Sequence, residues 1–120
     1  MKPYFETIKY LPLPKEVRLG FSNIHDIGLF AKERIERGRN LGICHLEIGK
    51  KLFRTPLGGF INHSDDPNCT KTMFRMTNVP DASLKMDYKA WNLITLQDIK
   101  EGEELTLKYT FYKLYEERKN

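Results

Sequence analysis

A polar turn that follows an apolar pair near the middle of the chain limits the possible folds more than any other segment. The apolar pair Phe60-Ile61 is followed directly by Asn62-His63-Ser64, and then by Asp-Asp-Pro-Asn-Cys at residues 65–69. Because Pro67 stiffens the corner, we predict that a buried strand ends here and delivers hydrogen-bonding side chains to a sharp turn. A turn of this kind suits a small-ligand site.

A second segment combines a turn with an alternating strand further along the chain. Gly102-Glu103-Glu104 predicts the turn, and Leu105, Leu107 and Tyr109 follow at every second position. Alternating side chains of a strand share a face, so Tyr109 is predicted on the buried side. Each segment alone also fits an ordinary structural role, as a polar β-turn with a core histidine or an edge hairpin with a core tyrosine.

Length and composition favour one soluble, intracellular domain. The 120 residues are enough for one core but too few for two, so we predict a single domain over residues 1–120. No apolar stretch reaches the roughly twenty residues that span a bilayer, and the start lacks the apolar core of a secretory signal. Cys44 and Cys69 are too few for a disulfide framework and are expected to be free thiols.

The net charge of +4 is unevenly distributed. Residues 1–60 contain eleven Lys/Arg and six Asp/Glu, whereas residues 61–120 contain nine and ten. The second half could accept a basic peptide, and the basic first half could contact nucleic acid or an acidic partner. A scattered, solvated surface explains the same charges, so nucleic-acid binding stays open.

Apolar alternation and turn residues predict a mainly β domain. Val17, Leu19 and Phe21 alternate like one face of a strand. Gly58-Gly59 marks a backbone that needs unusual dihedrals or a close approach. The one predicted helix is Phe111–Lys119, whose apolar residues share a face. The predicted strands lie in Tyr4–Leu11, Val17–Phe21, Leu41–Ile48, Thr70–Met76 and Tyr88–Ile99.

Taken together, the two segments resemble the C-terminal motifs of the SET-domain protein lysine methyltransferases. The matching patterns are Asn-His-Ser-x-x-Pro-Asn-Cys from Asn62 and Glu-Gly-Glu-Glu-Leu-Thr-x-x-Tyr ending at Tyr109. Ser22–Ala31 resembles the N-terminal motif of the same family, so the resemblance covers about residues 17–112. It implies a β-clip-like SET fold of short strands, with a C-terminal pseudoknot and a short C-terminal helix, as in minimal viral or bacterial members.

The resemblance also implies a cofactor, S-adenosylmethionine, and a set of site residues. Tyr109 would stand at the methyl-transfer centre and touch the cofactor, and no metal ligand is implied. The other residues implied to bind the cofactor are Asp26, Ile27, Gly28, Leu29, Asn62 and His63. The residues implied to close the lysine channel are Phe111, Tyr112 and Tyr115.

Two departures from the family pattern affect the functional prediction. Asp26 stands where the family has the first glycine of Gly-x-Gly, and its Cβ could crowd the cofactor. Few residues separate Gly28 from Asn62, so the insert that usually forms one wall of the peptide groove is nearly absent. A homodimer that borrows surface from its partner is therefore one hypothesis.

The predicted function is the transfer of methyl groups to a lysine side chain of a protein substrate, a histone being one example. A narrow apolar channel and the neighbouring sulfonium would both disfavour the charged form of the lysine amine. The main alternative is a catalytically degenerate SET fold that acts as a protein-binding or nucleic-acid-binding module.

Two further alternatives use the cysteines and histidines. A zinc site drawn from them lacks the usual ligand spacing, and a cysteine nucleophile paired with His63 lacks a local signature. The zinc-site residues considered are His25, Cys44, His45, His63 and Cys69.

Overall fold

The computed structural model of the protein describes residues 12–76 and 88–110, and these residues form a mainly β structure. The mainly β prediction is confirmed. The elements within those ranges are β1 (Val17–Phe21), β2 (Ile27–Ala31), β3 (Asn40–Ile48), β4 (Lys51–Arg54), α1 (Pro56–Gly59), β5 (Asn62–His63), β6 (Cys69–Met76), β7 (Tyr88–Thr95) and β8 (Glu104–Leu107).

The strands form two four-stranded sheets. The first has the order β1-β2-β8-β5, and the second has the order β4-β3-β7-β6. Neighbouring strands are antiparallel except for β5 and β8, which pair in parallel through Asn62 with Thr106 and His63 with Leu107. Strand β8, the last strand within the described residues, therefore lies between the N-terminal motif and the Asn-His-Ser turn, as the predicted pseudoknot requires.

The hydrophobic core combines residues of both sheets with residues of the segments that connect the strands. Leu29 of β2 and Leu105 of β8 are directly paired and are both fully buried. Leu107 is buried as well, so the predicted buried face of this strand is confirmed for its leucines. The remaining apolar core residues are Val17, Ala31, Ile35, Leu41, Cys44, Leu57, Ile61, Cys69, Leu93 and Ile99.

Several strand predictions hold, but one needs correction. The strand predicted for Tyr88–Ile99 ends at Thr95, because the chain bends at residues 96–97 and Ile99 then pairs with Ile35 instead. Strand β1 has the predicted bounds, and of its alternating residues only Val17 reaches the core, since the exposed fraction of Phe21 is 91%. Strand β4 and helix α1 were not anticipated from the sequence.

The glycine pair at the end of α1 has one constrained member. A Cβ on Gly58 would collide with the backbone carbonyl of Cys44, whereas one on Gly59 would meet nothing within 4 Å. The close approach predicted for Gly58-Gly59 is therefore real for Gly58 alone.

Some predicted elements lie outside the described residues, and they stay predictions. They are the strand within Tyr4–Leu11 and the helix Phe111–Lys119. In residues 12–76 and 88–110, no helix has the length and apolar character needed to cross a bilayer.

Candidate active site

Asn62 and His63 are consecutive residues of β5 and therefore point to opposite faces. The amide nitrogen of Asn62 lies within hydrogen-bond distance of the hydroxyl of Ser22 (3.0 Å), the carbonyl of His25 (3.1 Å) and the carboxylate of Glu104 (2.8 Å). The residue is buried, with 6% of its surface exposed. Asn62 thus ties the loop after β1 to the first residue of β8.

Ser22 and Glu104 complete this polar cluster. The hydroxyl of Ser22 donates to the carboxylate of Glu104, whose two oxygens lie at 2.7 and 2.8 Å, and it accepts from the backbone N–H of Ile24 at 2.9 Å. The sequence interpretation missed both residues, because it assigned Glu104 to a polar turn and gave Ser22 no role. The Glu-Glu pair at the start of an alternating strand was the available signal.

The carboxylate of Glu104 also explains why residue 28 is a glycine. A Cβ at this position would collide with the side chain of Glu104 and would lie 3.0 Å from the Cβ of Ser22. The glycine of the N-terminal motif is therefore needed for the approach of Glu104, whatever it contributes to a cofactor.

Asp26 adopts the backbone conformation that a glycine would favour. Its φ is +38°, in the left-handed region that aspartate tolerates better than most residues. Its side chain is 84% exposed and lies 3.4 Å from the ring of His25, while its carbonyl accepts from the N–H of Ser22 at 2.8 Å. The loop therefore accommodates the aspartate without strain from neighbouring side chains, and the predicted crowding of a cofactor by this residue stays a prediction.

His63 connects the Asn-His-Ser turn to the C-terminal motif. Its Nδ1 accepts a hydrogen bond from the backbone N–H of Tyr109 at 2.9 Å, and its Nε2 lies 3.0 Å from the carboxylate of Asp65. An acceptor at Nδ1 places the proton of the neutral ring on Nε2, where it can be donated to Asp65. The imidazole is therefore oriented from both sides.

Tyr109 lies just beyond the end of β8 and is half-buried. Its hydroxyl donates to the backbone carbonyl of Ile61 at 2.7 Å, and its ring centre lies 5.1 Å from that of His63 at an interplanar angle of 57°. The phenol is thus held by Ile61 and His63, the two sequence neighbours of Asn62. The predicted neighbourhood of Asn62, His63 and Tyr109 is present.

An enclosed cavity of about 10 Å³ lies beside Tyr109, next to a wider groove of about 490 Å³. Leu107, Lys71 and Thr110 line both spaces. The enclosed cavity is completed by His45, Gly58, Ile61 and Tyr109. The groove is completed by Pro67, Cys69, Thr70, Met73, Trp91, Leu96 and Lys108.

The buried thiols and the buried imidazole are held in their neutral forms. Burial raises the pKa of Cys44 to about 11 and that of Cys69 to about 12. Burial, aided by the charges of Lys71 and Arg54, lowers the pKa of His45 to about 4. Protonated, buried thiols are poor nucleophiles, which argues against the cysteine-nucleophile alternative.

Cys44 and Cys69 are both free, as expected. Across the described ranges, no three His, Cys, Asp or Glu side chains are grouped so that they could hold a metal ion.

The remaining residues assigned to the cofactor or channel differ in how far the structure describes them. The side chain of Leu29 is fully buried in the core, so only its backbone could face a cofactor, and Ile27 is half-buried. Phe111, Tyr112 and Tyr115 lie outside the described residues. Their assigned roles stay predictions.

A family model of the SET domain matches residues 48–110, which include both C-terminal motifs. The chain belongs to the SET-domain family. The family and the fold class predicted from the motifs are thereby confirmed. No curated protein sequence matches this SET domain.

Solved structures give the same fold for this SET domain. A candidate histone methyltransferase of Plasmodium falciparum is 17% identical with a TM-score of 0.64, over 83% of this chain and 97% of that one. Polycomb Repressive Complex 2 of Chaetomium thermophilum is 21% identical with a TM-score of 0.64, over 88% of this chain and 17% of that one. This SET domain thus spans nearly all of the first protein and about a sixth of the second.

SET-domain methyltransferases use S-adenosylmethionine, and the polar cluster of this SET domain fits that group. The cofactor carries an ammonium and a sulfonium, both of which a nearby carboxylate favours. The half-buried carboxylate of Glu104, bonded to Ser22 and Asn62, supplies that charge next to the loop of Asp26. The donors and acceptors present are therefore of the kind that the cofactor needs.

Proposed function

We propose that the protein is an S-adenosylmethionine-dependent protein lysine methyltransferase. The observation that carries the proposal is the fixed position of Tyr109 at the edge of a partly apolar cavity, between the carbonyl of Ile61 and the ring of His63. The membership of the SET-domain family supports it. Catalysis by this chain is the part that needs an experiment.

The hydroxyl of Tyr109 is suited to orient an amine. Because its proton is donated to the carbonyl of Ile61, the oxygen offers lone pairs as acceptors for an amine N–H. Holding the nitrogen in line with the methyl group is the main task, since well-oriented reactants can gain about 7–11 kcal/mol in the barrier. Tyr109 therefore acts through position and needs no shifted acidity.

The cavity also favours the reactive, uncharged form of the substrate amine. Free lysine has a pKa near 10.4, so the protein must disfavour the ammonium. Ile61 and Leu107 supply apolar wall, and the loss of water around the amine disfavours its charged form.

The cofactor supplies an electrophilic methyl group on a sulfonium when it is bound. We assign its binding to Asn62, His63 and the loop of Asp26, Ile27 and Gly28, with Glu104 as the countercharge. The hydrogen bonds from Asn62 to that loop support the assignment, because they fix the loop backbone before any ligand arrives. Preorganisation of this kind lowers the entropic cost of binding.

A protein lysine is the proposed acceptor, and a histone is the first substrate to test. The groove next to Tyr109 is open to solvent and has Met73, Trp91 and Leu96 on its wall, which suits a peptide segment around the target lysine. The Plasmodium protein of the same fold is a candidate histone methyltransferase, which supports the choice of substrate. A homodimer in which a second copy extends this groove is part of the same proposal.

The test is calorimetric titration of the purified protein with S-adenosylmethionine and with S-adenosylhomocysteine, followed by transfer of labelled methyl groups to histones and to a lysine peptide array. Saturable binding and label on a lysine support the proposal. Binding without transfer to any protein, or no binding at all, contradicts it and favours the binding-module alternative.

Two departures from the family pattern motivate the binding-module alternative, namely Asp26 and the nearly absent groove insert. The loop geometry bears on the first of them. The aspartate sits in the glycine-like conformation with its side chain in solvent. Nucleic-acid binding by such a module would be recognised by an affinity that falls steeply with salt.

A further inference from the structure

Lys71 lies on the wall between the enclosed cavity of Tyr109 and the outer groove, because it lines both. Its backbone is fixed in β6 by pairing with Leu93 of β7. Its side chain leaves the sheet toward the C-terminal motif, where Nζ donates to the hydroxyl of Thr110 at 2.6 Å. Thr110 is the residue after Tyr109, so this lysine amine already resides beside the proposed methyl-transfer centre.

The reach of a lysine side chain makes the position significant. Four methylene groups end in a compact amine with three rotatable donors, and this amine reaches the hydroxyl of Thr110 at the rim of the cavity. Rotation about the terminal bonds is fast compared with enzymatic turnover. The amine can therefore sample the space between Thr110 and Tyr109 without any change in the sheet.

Burial makes the amine of Lys71 easier to deprotonate than that of a lysine in water. Desolvation by burial lowers its pKa below the ordinary lysine value, and the opposing contribution comes from Cys44. That contribution needs a thiolate, but the pKa of Cys44 is about 11, so the thiol is uncharged near neutral pH. The lowering by burial then acts alone.

We propose that Lys71 is an internal methyl acceptor, so that the SET domain methylates itself at the wall of its own lysine channel. The inference rests on the proposed function. The neutral Nζ attacks the methyl carbon of S-adenosylmethionine, a C–N bond forms as the C–S bond breaks, and S-adenosylhomocysteine leaves with the electron pair on sulfur. The methylated ammonium then loses a proton to water.

The experiment uses the purified full chain with S-adenosylmethionine alone, without any other protein. Intact-mass spectrometry counts added methyl groups, and fragmentation assigns them to residues. We expect the methyl group on Lys71, with a rate constant that does not change on dilution, because the acceptor belongs to the same molecule. Lys71→Arg should lose the mark, whereas Lys51→Arg, a change at an exposed position of β4, should keep it.

The outcomes separate this inference from the proposed function. Methyl transfer to a peptide or histone with unmodified Lys71 in the wild-type chain overturns the inference and leaves the function intact. A mark on Lys71 that forms in proportion to protein concentration, or a mark confined to other lysines, also overturns it. Absence of cofactor binding in the calorimeter overturns both, and the wild-type mapping decides the matter even where Lys71→Arg fails to fold.

Discussion

The ring of His63 accepts a hydrogen bond from the backbone N–H of Tyr109 at 2.9 Å, although 46 residues separate the two. The other ring nitrogen lies 3.0 Å from Asp65, so the imidazole has one defined orientation. The Asn-His-Ser turn and the C-terminal motif therefore form one unit, in which the residue next to Asn62 positions the tyrosine.

Replacing Tyr109 by phenylalanine should lower turnover by about a hundredfold or more, because a misplaced amine loses its alignment. The affinity for S-adenosylmethionine should stay close to wild type, since the ring contact with His63 and the backbone hydrogen bond remain. The lost hydrogen bond to Ile61 should cost about 1 kcal/mol of stability. Methyl-transfer kinetics measures the turnover, and calorimetry measures the cofactor affinity. Full activity of the Tyr109→Phe variant would show that the Tyr109 hydroxyl has no part in the chemistry.

Replacing Asn62 by alanine should weaken cofactor binding before it affects the chemical step. The change deprives the hydroxyl of Ser22, the carbonyl of His25 and the carboxylate of Glu104 of a donor, and it should cost about 1–3 kcal/mol of stability. Asn68→Ala is the matched control.

Asn68 belongs to the same motif but bonds to the backbone of β8 through Thr106 and Glu104. Its replacement should cost similar stability while leaving the loop of Asp26 in place. Equal cofactor affinity in Asn62→Ala and wild type, measured by calorimetry, would overturn the assignment of Asn62.

Replacing Gly28 by alanine should destabilise the fold by about 1–3 kcal/mol, because the new methyl group overlaps the carboxylate of Glu104. Gly59→Ala is the control, since nothing lies within 4 Å of its Cβ position. Chemical denaturation measures both. Adding Glu104→Ala to Gly28→Ala should remove the overlap. If the stability lost in the double variant equals the sum of the stabilities lost in the two single variants, this explanation is contradicted.

The sequence predicted the strands and the paired motifs because both depend on local pattern. Alternation located β3 and β6 within a residue, and the resemblance of the two motifs to the SET family implied that Asn62 and Tyr109 share a site. The contact between Ser22 and Glu104 joins residues 82 positions apart, and periodicity carries no information at that range. The exposure of Phe21 was missed for a related reason, since alternation identifies a face without saying what covers it.

Replacing Asp26 by glycine should change stability by less than about 1 kcal/mol, because relief of the left-handed conformation is offset by the greater entropy of an unfolded glycine. Cofactor affinity should be unchanged. Asp26→Val should instead lose about 1–2 kcal/mol, since a β-branched residue fits a φ of +38° poorly. Thermal unfolding and calorimetry measure the series, and a large gain in cofactor affinity for Asp26→Gly would show that the aspartate does obstruct the site.

His45 should make the fold sensitive to mild acid. Its exposed fraction is 2%, and burial lowers its pKa from the ordinary 6.5 to about 4. Between these two pKa values the unfolded chain binds more protons than the native one. The contribution of His45 to stability is therefore fully present above pH 6.5 and is lost as the pH drops toward 4. The total loss should be about 3 kcal/mol. Urea denaturation across this range measures the slope. His45→Leu should reduce the dependence of the free energy of unfolding on pH in this range. His25→Gln is the control, because it changes a histidine at an exposed position. An unchanged pH dependence in His45→Leu would assign the acid sensitivity to other groups.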